Sequence, residues 1–276
     1  MKVFGLASVR PTVPGAGRTE GVGVPVVLDN VSKRYETLGE PVQAVDDVSL
    51  TCNPGEFLAV LGPSGCGKST ILLLVAGLVP LTGGTISIGG TVVSKPYTNL
   101  GMVFQEAVLL DWRRVMSNVL LQVEMRGLNR KAYRSRAQQL IDLVGLTGFE
   151  DSYPFELSGG MRQRVSICRA LLHDPPLLLM DEPFGALDAL TRDKLNLDLQ
   201  QIWLASRKTV FFVTHSIAEA VFLADRVVVL SPRPCTVEEI LDIDLPRPRD
   251  HSVRETPEFG RYASEIRHIF ASLGIL

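Results

Sequence analysis

Val60-Leu61-Gly62-Pro63-Ser64-Gly65-Cys66-Gly67-Lys68-Ser69-Thr70 joins an apolar β-type run to a run of helical length, residues 71–76, through a turn rich in glycine. The pattern G-x-x-x-x-G-K-S between a strand and a helix is that of a phosphate-binding loop. Gly62, Gly65 and Gly67 let the main chain approach phosphate oxygens closely, so that several N–H groups converge on them. The helix that follows adds positive potential at its N-terminus. Lys68 has the reach for β- and γ-phosphates, and the Ser69 hydroxyl is suited to a Mg²⁺ ion that bridges them.

The rest of the chain fits one α/β domain around that loop. Of 276 residues, 46% are hydrophobic and 21% charged, enough apolar material for a substantial core. A formal net charge of −2 gives no electrostatic argument for nucleic acid as a partner. No stretch approaches the roughly 18 consecutive apolar residues of a membrane span. Cys52, Cys66, Cys168 and Cys235 are scattered, with neither metal-ligand spacing nor a disulfide framework, which fits a reducing compartment. Residues 1–24 have no periodic apolar face and no signal-peptide pattern and are expected to be a flexible tail.

Residues 26–35, 45–52 and 56–61 read as strands, the third continuously apolar. Tyr35 ends the first, placed either to stack on an adenine or simply to half-bury itself. Short strands are expected at 85–88 and 100–104, with Gln105 leaving the second as a ligand side chain or as the first loop residue. From about 106 to 160 helical spacing with mixed charge predicts an inserted helical subdomain. Ser158, Gly159 and Gly160 then open another helix, and with it a second anion-binding N-terminus. The run Leu177-Leu178-Leu179-Met180 predicts a central parallel strand, with Asp181 and Glu182 at its carboxyl end, where open α/β sheets bind ligands. Asp181 suits Mg²⁺, and Glu182 suits orienting or deprotonating an attacking water. A helix at 189–206, a strand at 209–213 and His215 follow. On its own, His215 reads as a local hydrogen-bonding residue. A further helix (217–224), strands at 226–230 and 237–243, a proline-arginine segment at 245–249 and a helix at 257–273 complete the chain.

The motifs at 62–69, Gln105, 157–161, 179–182, Ala186-Leu187-Asp188 and His215, in this order, resemble the nucleotide-binding subunit of an ATP-binding cassette (ABC) transporter. The resemblance implies a P-loop NTPase cassette: a mostly parallel central sheet, an antiparallel β edge subdomain and an α-helical insertion. It implies a domain over residues 25–232 and an extension over 233–276. It further implies ATP and Mg²⁺ as cofactors, with Tyr35 on the adenine, residues 62–70 on the phosphates, and Ser69, Gln105 and Asp181 on the metal. Glu182 is then the catalytic base, His215 the γ-phosphate switch, and Ser158, Gly159, Gly160 and Asp188 the elements that meet the nucleotide of a second copy in a homodimer.

Segments 105–113, 216–226 and 230–234 resemble the importers of nitrate, aliphatic sulfonates, taurine and bicarbonate, with Asp111 standing where proline is common in that group. Pyrimidine-precursor importers share these stretches. Such an ATPase would sit peripherally on the cytoplasmic face of the inner membrane, beneath transmembrane permease subunits that a periplasmic or lipid-anchored solute-binding protein supplies. The other class of cassette, acting on ribosomes or DNA without a permease, usually carries two cassettes or a long coiled-coil insertion, and neither pattern is present.

Overall fold

The computed structural model describes residues 23–185 and 187–275. The expected tail at 1–24 lies outside them except for Gly23 and Val24, which are fixed to the body. Gly23 N–H donates to Arg207 O at 3.2 Å, and the Thr209 hydroxyl donates to Val24 O at 2.7 Å. Ala186 of the Ala-Leu-Asp motif is also outside the described residues.

Strands β1 (Val26–Tyr35) and β2 (Val42–Cys52) pair antiparallel; β3 (Phe57–Leu61) leads to helix α1 (Lys68–Val75), and β4 (Gly83–Ile88) and β5 (Thr91–Val92) follow. Next come β6 (Leu100–Val103), the helices α2 (Val115–Val119), α3 (Leu121–Met125) and α4 (Arg130–Leu143), and α5 (Gly159–Leu171). The chain ends through β7 (Leu177–Asp181), α6 (Ala189–Ser206), β8 (Thr209–Thr214), α7 (Ile217–Leu223), β9 (Arg226–Leu230), β10 (Val237–Asp242) and α8 (Pro257–Ser272). One sheet is antiparallel with order β2-β1-β4-β5; the other has order β10-β9-β3-β8-β7-β6 and is parallel except at its β10 edge.

The central strands are buried on both faces, which is why they read as unbroken apolar runs. Their side chains alternate between two cores. Phe57, Ala59 and Leu61 face the core shared with α5 to α8, whereas Leu58 and Val60 face the one shared with α1 and the antiparallel sheet. Each fully buried aromatic or aliphatic side chain here is worth roughly 1.5–3 kcal/mol over its exposed state.

A third core belongs to α2 to α4, and it extends past residue 160. Val165, Cys168 and Leu172 of the α5 segment pack into it, while Ile167, Ala170 and Leu171 pack into the main core. Helix α5 is therefore shared between the inserted helices and the sheet. Of the expected extension, the described residues 233–275 are equally embedded. They supply edge strand β10, and Phe259, Tyr262, Ile266 and Phe270 of α8 join the main core. Among the described residues no helix is long and apolar enough to cross a membrane.

Candidate functional site

Parallel strands all point their carboxyl ends one way, and the loops leaving β3, β7 and β8 therefore converge. The first is the glycine loop. Gly65 and Gly67 have φ of +74° and +134°, and a Cβ on Gly67 would stand 2.7 Å from Ala44 O and 3.1 Å from Cys235 Cβ. Both facts require glycine there. Lys68 begins α1, is buried, and donates from Nζ to Gly62 O and Pro63 O, each at 2.9 Å. Its ammonium is thus held over the loop by the loop's own carbonyls.

The second loop carries Asp181 and Glu182. Burial raises the Asp181 carboxyl above its ordinary range; a hydrogen bond with Ser69 pulls it down, Glu182 pushes it up and Lys68 lowers it. Glu182 adopts φ +43°, uncommon for a residue with a Cβ. Its N–H donates to Val213 O at 2.8 Å, so the strained turn is fixed against β8. Its carboxylate then spans two partners: Oε1 lies 3.6 Å from Lys68 Nζ and Oε2 lies 2.9 Å from His215 Nδ1. A carboxylate can only accept, so Nδ1 carries the proton. Gln105 flanks the same turn: a Cβ on Gly185 would be 3.7 Å from both Gln105 Nε2 and Glu182 Oε2. The Gln163 side chain donates to Phe104 O at 2.9 Å and so fixes the residue before Gln105.

The structure therefore brings together Lys68, Ser69, Gln105, Asp181, Glu182 and His215. Tyr35 sits apart at the end of β1, half-buried, with Lys33 Nζ 4.8 Å from its ring centroid, against the core that includes Ala44 and Cys66. Ser158 caps α5 by accepting from Met161 N at 3.3 Å, and Asp188 caps α6 by accepting from Thr191 N at 3.0 Å. The hydrogen bond from Thr191 holds the Asp188 carboxyl below its ordinary range. These two helix starts adjoin each other, since a Cβ on Gly160 would meet Thr191 Cγ2 at 2.9 Å and Leu187 Cδ2 at 3.6 Å. Among the described residues no hydrogen bond ties 158–160 to the loop at 62–70 of the same chain.

The family model described as ABC transporter matches residues 45–185. This chain belongs to the ABC transporter ATP-binding family. The uncharacterized ABC transporter ATP-binding protein MJ0412 of Methanocaldococcus jannaschii is 48% identical over 246 residues, covering 89% of this chain and 91% of the relative. The taurine import ATP-binding protein TauB of Rhizobium johnstonii is 46% identical over 239 residues, covering 85% and 91%. The bacterial ABC transporter cassette MJ0796, solved as a dimer, is similar with a TM-score of 0.73 and 32% identity over 80% of this chain and all of that one. MJ0796 has also been solved in a post-hydrolysis state bound to ADP and Pi. The cassette described here is accordingly an ATP-binding, ATP-hydrolysing α/β subunit.

Three features of the cassette's site had no signal in the sequence. Arg233, in the segment after β9, donates from Nε and Nη2 to Gly65 O at 3.3 and 3.1 Å. Cys235 is brought beside the loop, its Cβ 3.1 Å from where a Cβ on Gly67 would stand, and its thiol is the largest cause of the Cys66 thiol falling to about 7; burial opposes it and Lys68 adds to it. The main source of that acidity is thus a residue brought in by tertiary folding, ahead of the neighbouring Lys68. The third is a buried relay behind His215. The Thr214 hydroxyl donates to Glu219 Oε2 at 2.6 Å, Glu219 Oε1 lies 3.5 Å from Arg192 Nε, and Arg192 Nη2 donates to Leu187 O at 2.8 Å. Nothing in the sequence around Glu219 marks it as buried, and only the fold shows it to be so.

Proposed function

We propose that the cassette powers import of taurine or a closely related small sulfonate through a separate membrane permease, with a solute-binding protein as the supplier. The substrate reading is supported by the likeness to the taurine importer's ATP-binding protein along most of both chains. The chemistry is carried by one observation, the Glu182 carboxylate held between Lys68 and His215.

In this reading ATP lies with its phosphates on Gly62, Pro63, Ser64, Gly65, Cys66, Gly67, Lys68, Ser69 and Thr70, and with its adenine on Tyr35. Lys68 neutralises charge on the β- and γ-phosphates. Glu182 accepts a proton from water as the water oxygen attacks the γ-phosphorus, the bond to the ADP oxygen breaks, and phosphate leaves. His215 holds the Glu182 carboxylate and senses the γ-phosphate. The Ser69 hydroxyl, the Asp181 carboxylate and the Gln105 carbonyl form an all-oxygen donor set that fits Mg²⁺, and a cation would relieve the burial that raises Asp181. When bound, Mg²⁺ would neutralise charge on the β- and γ-phosphates. Ser158, Gly159, Gly160 and Asp188, which among the described residues make no hydrogen bond to the loop of their own chain, serve the nucleotide of a twofold-related copy.

The test is reconstitution of the cassette with a candidate permease and a taurine-binding protein. ATPase activity is measured with and without taurine-loaded binding protein, for wild type and Glu182→Gln. Stimulation by taurine in wild type and none in the variant is expected. Stimulation by another solute but by no small sulfonate would overturn the substrate reading, and unchanged turnover in Glu182→Gln would overturn the catalytic one.

A further inference from the structure

The chain's charge is unevenly placed. Residues 113–141 hold seven basic side chains against one acidic, Glu124, while the whole chain stands at −2, so the rest is acidic on balance. Two of the seven pair outside the segment, Arg114 with Asp151 and Arg136 with Asp174. The others gather about the turn between α3 and α4. Arg113 binds Glu124 through both terminal nitrogens, at 2.7 and 3.1 Å, and Arg130 Nη1 lies 3.5 Å from the same carboxylate. Arg126 donates to Thr98 O, which fixes the turn to the chain entering β6. Arg130, Lys131 and Arg134 are exposed in the first turns of α4, at three- and four-residue steps that place them on one flank. Among the described residues neither Lys131 nor Arg134 makes an ion pair. Beside these cations stand two apolar side chains, Met125 and Leu128, 76% and 41% exposed. Val123 and Ala137 on the inner side of the same turn are fully buried in the core of α2 to α4, so Met125 and Leu128 are left on the outer side.

We propose that this turn, residues 125–134, is a lipid-contact surface that rests on an anionic bilayer leaflet, with Met125 and Leu128 entering the headgroup layer and Arg130, Lys131 and Arg134 facing lipid phosphates. Exposed apolar side chains flanked by basic ones match a bilayer interface on both counts, apolar area and charge. A nucleic acid backbone would take the cations and leave Met125 and Leu128 in water. The surface runs on toward the loop after Gln105, because Arg113, whose neighbour Trp112 is 74% exposed, is the residue that clasps Glu124. Each basic side chain brought to an anionic leaflet strengthens binding roughly fivefold, and three together on the order of 100-fold. This attraction reaches about 8 Å in physiological salt. A chain that is otherwise acidic is therefore held with this side toward the lipid, which orients the cassette beneath a permease before the two meet. That role rests on the reading of the protein as an importer subunit; the lipid contact itself does not.

The full-length protein, without permease, is floated through a density gradient with vesicles of phosphatidylcholine, alone or mixed with phosphatidylglycerol. Binding to the mixed vesicles and not to the neutral ones is expected at about 0.1 M salt, with loss at about 1 M, where the Debye length falls to about 3 Å. Lys131→Glu/Arg134→Glu should weaken it by at least about tenfold. Arg261→Glu/Arg267→Glu, the same change of charge at exposed positions of α8, should leave it unaltered. Met125→Ser keeps every charge and should weaken binding several-fold, and Met125→Trp should strengthen it. Each variant should bind a fluorescent ATP analogue as the wild type does, which checks that it is folded. If the charge reversal in α4 unfolds the protein, Lys131→Gln/Arg134→Gln replaces it. No binding to the mixed vesicles, or an equal loss in the α8 variant, would overturn the proposal. So would binding that both Met125 variants leave unchanged, or tighter binding to a duplex oligonucleotide than to vesicles, which would give the cations to nucleic acid. Vesicle binding by a cassette that taurine-loaded binding protein never stimulates would keep the lipid contact and remove the import reading.

Discussion

His215 Nδ1 lies 2.9 Å from Glu182 Oε2, which joins the end of β8 to the turn after β7. The turn is itself strained at Glu182 and fixed by its N–H to Val213 O. Backbone and side chain of Glu182 therefore both depend on β8, and a shift of His215 is transmitted to the carboxylate that would take the proton from water.

Glu182→Gln keeps the size and the hydrogen-bonding reach of the side chain but cannot accept that proton. Steady-state ATPase should fall by at least about 100-fold, while ATP binding changes little. Size-exclusion chromatography with ATP and Mg²⁺ should show a dimer that persists. His215→Ala should also slow turnover, and the double variant should be no slower than Glu182→Gln, because the two residues act as one unit. Additive losses would show that they act separately.

The relay Thr214–Glu219–Arg192–Leu187 connects the residue before His215 to the residue before Asp188. Glu219→Gln keeps the bond from Thr214 but leaves Arg192 without its anion. A tenfold loss of kcat, about 1.4 kcal/mol, is expected with KM for ATP unchanged. Burial raises the Glu219 carboxyl, against the pull of Thr214, Arg192, His215 and Arg254. Its charge is therefore lost at a higher pH than an ordinary glutamate's. Wild-type kcat should fall on acidification through that range, and the Glu219→Gln profile should lack this step.

Lys208 Nζ is buried and bonds Asp174 Oδ1 at 2.6 Å and Pro175 O at 2.8 Å, while Arg136 Nη2 reaches the same carboxylate at 2.9 Å. Burial raises the Asp174 carboxyl, but Lys208 and Arg136 outweigh it and leave it below the usual 3.8. A depressed carboxylate stabilises the fold above its unfolded pKa, and that contribution is lost as pH falls through the folded one. Asp174→Asn should cost about 1–2 kcal/mol at neutral pH, less than a fully buried pair because Asp174 is half exposed. The difference in urea midpoint between the two proteins should shrink below pH 3.8. A constant difference down to acid pH would assign the loss to something other than charge.

Arg249 is buried and, among the described residues, makes no ion pair with a carboxylate. Its guanidinium instead donates to the carbonyls of Val221, Phe222 and Ala224 at the end of α7 and to Ile243 and Leu245. The Gln200 side chain pairs both ways with its main chain, accepting from Arg249 N at 2.7 Å and donating to Arg249 O at 2.6 Å. Arg249→Met orphans several buried carbonyls and should destabilise the protein by at least about 3 kcal/mol. Arg249→Lys cannot reproduce the fork and should recover only part of this. Equilibrium denaturation of the three proteins checks the order.

Much of this architecture was legible in local pattern. The loop between β3 and α1, the limits of α6 and β9, and the carboxylates ending β7 follow from apolar runs, glycine and helix caps, all of which act over a few residues. What escaped depends on distant partners. The β2 strand begins at Val42 because Tyr35 pairs with it, not because of its own composition. The proline-arginine segment at 245–249 gives no sign in the sequence that Arg249 is buried, which follows from the carbonyls at the end of α7 that it caps. Individual site residues such as Lys68, Glu182 and His215 could be named, but their spacing, the Glu219 relay and the placing of Cys235 beside the glycine loop arise only when the strands are laid side by side.

The loop after Gln105 carries the last prediction. Val108 and Trp112 expose 59% and 74% of their surface, an unusual amount for large apolar residues in one short segment. Arg169, buried in α5, donates to Val108 O at 2.7 Å and Ala107 O at 3.0 Å, so the loop is held rigidly outward. Beside it runs a groove of about 400 Å³ bordered by Gln105, Asp111, Arg162 and Pro183. We expect a short cytoplasmic helix of the permease to dock on this groove; Gln105 at its edge flanks Gly185 together with the Glu182 carboxylate, so nucleotide and membrane partner would meet at one loop. Leu109 is not a clean probe, because it packs against the core of α2 to α4 and Leu109→Asp should destabilise that subdomain. Val108→Asp and Trp112→Asp alter exposed surface and should leave folding and ATP binding intact. Both should prevent recovery of the cassette with permease-containing membranes and abolish transport. Wild-type yield and transport in both variants would place the docking surface elsewhere.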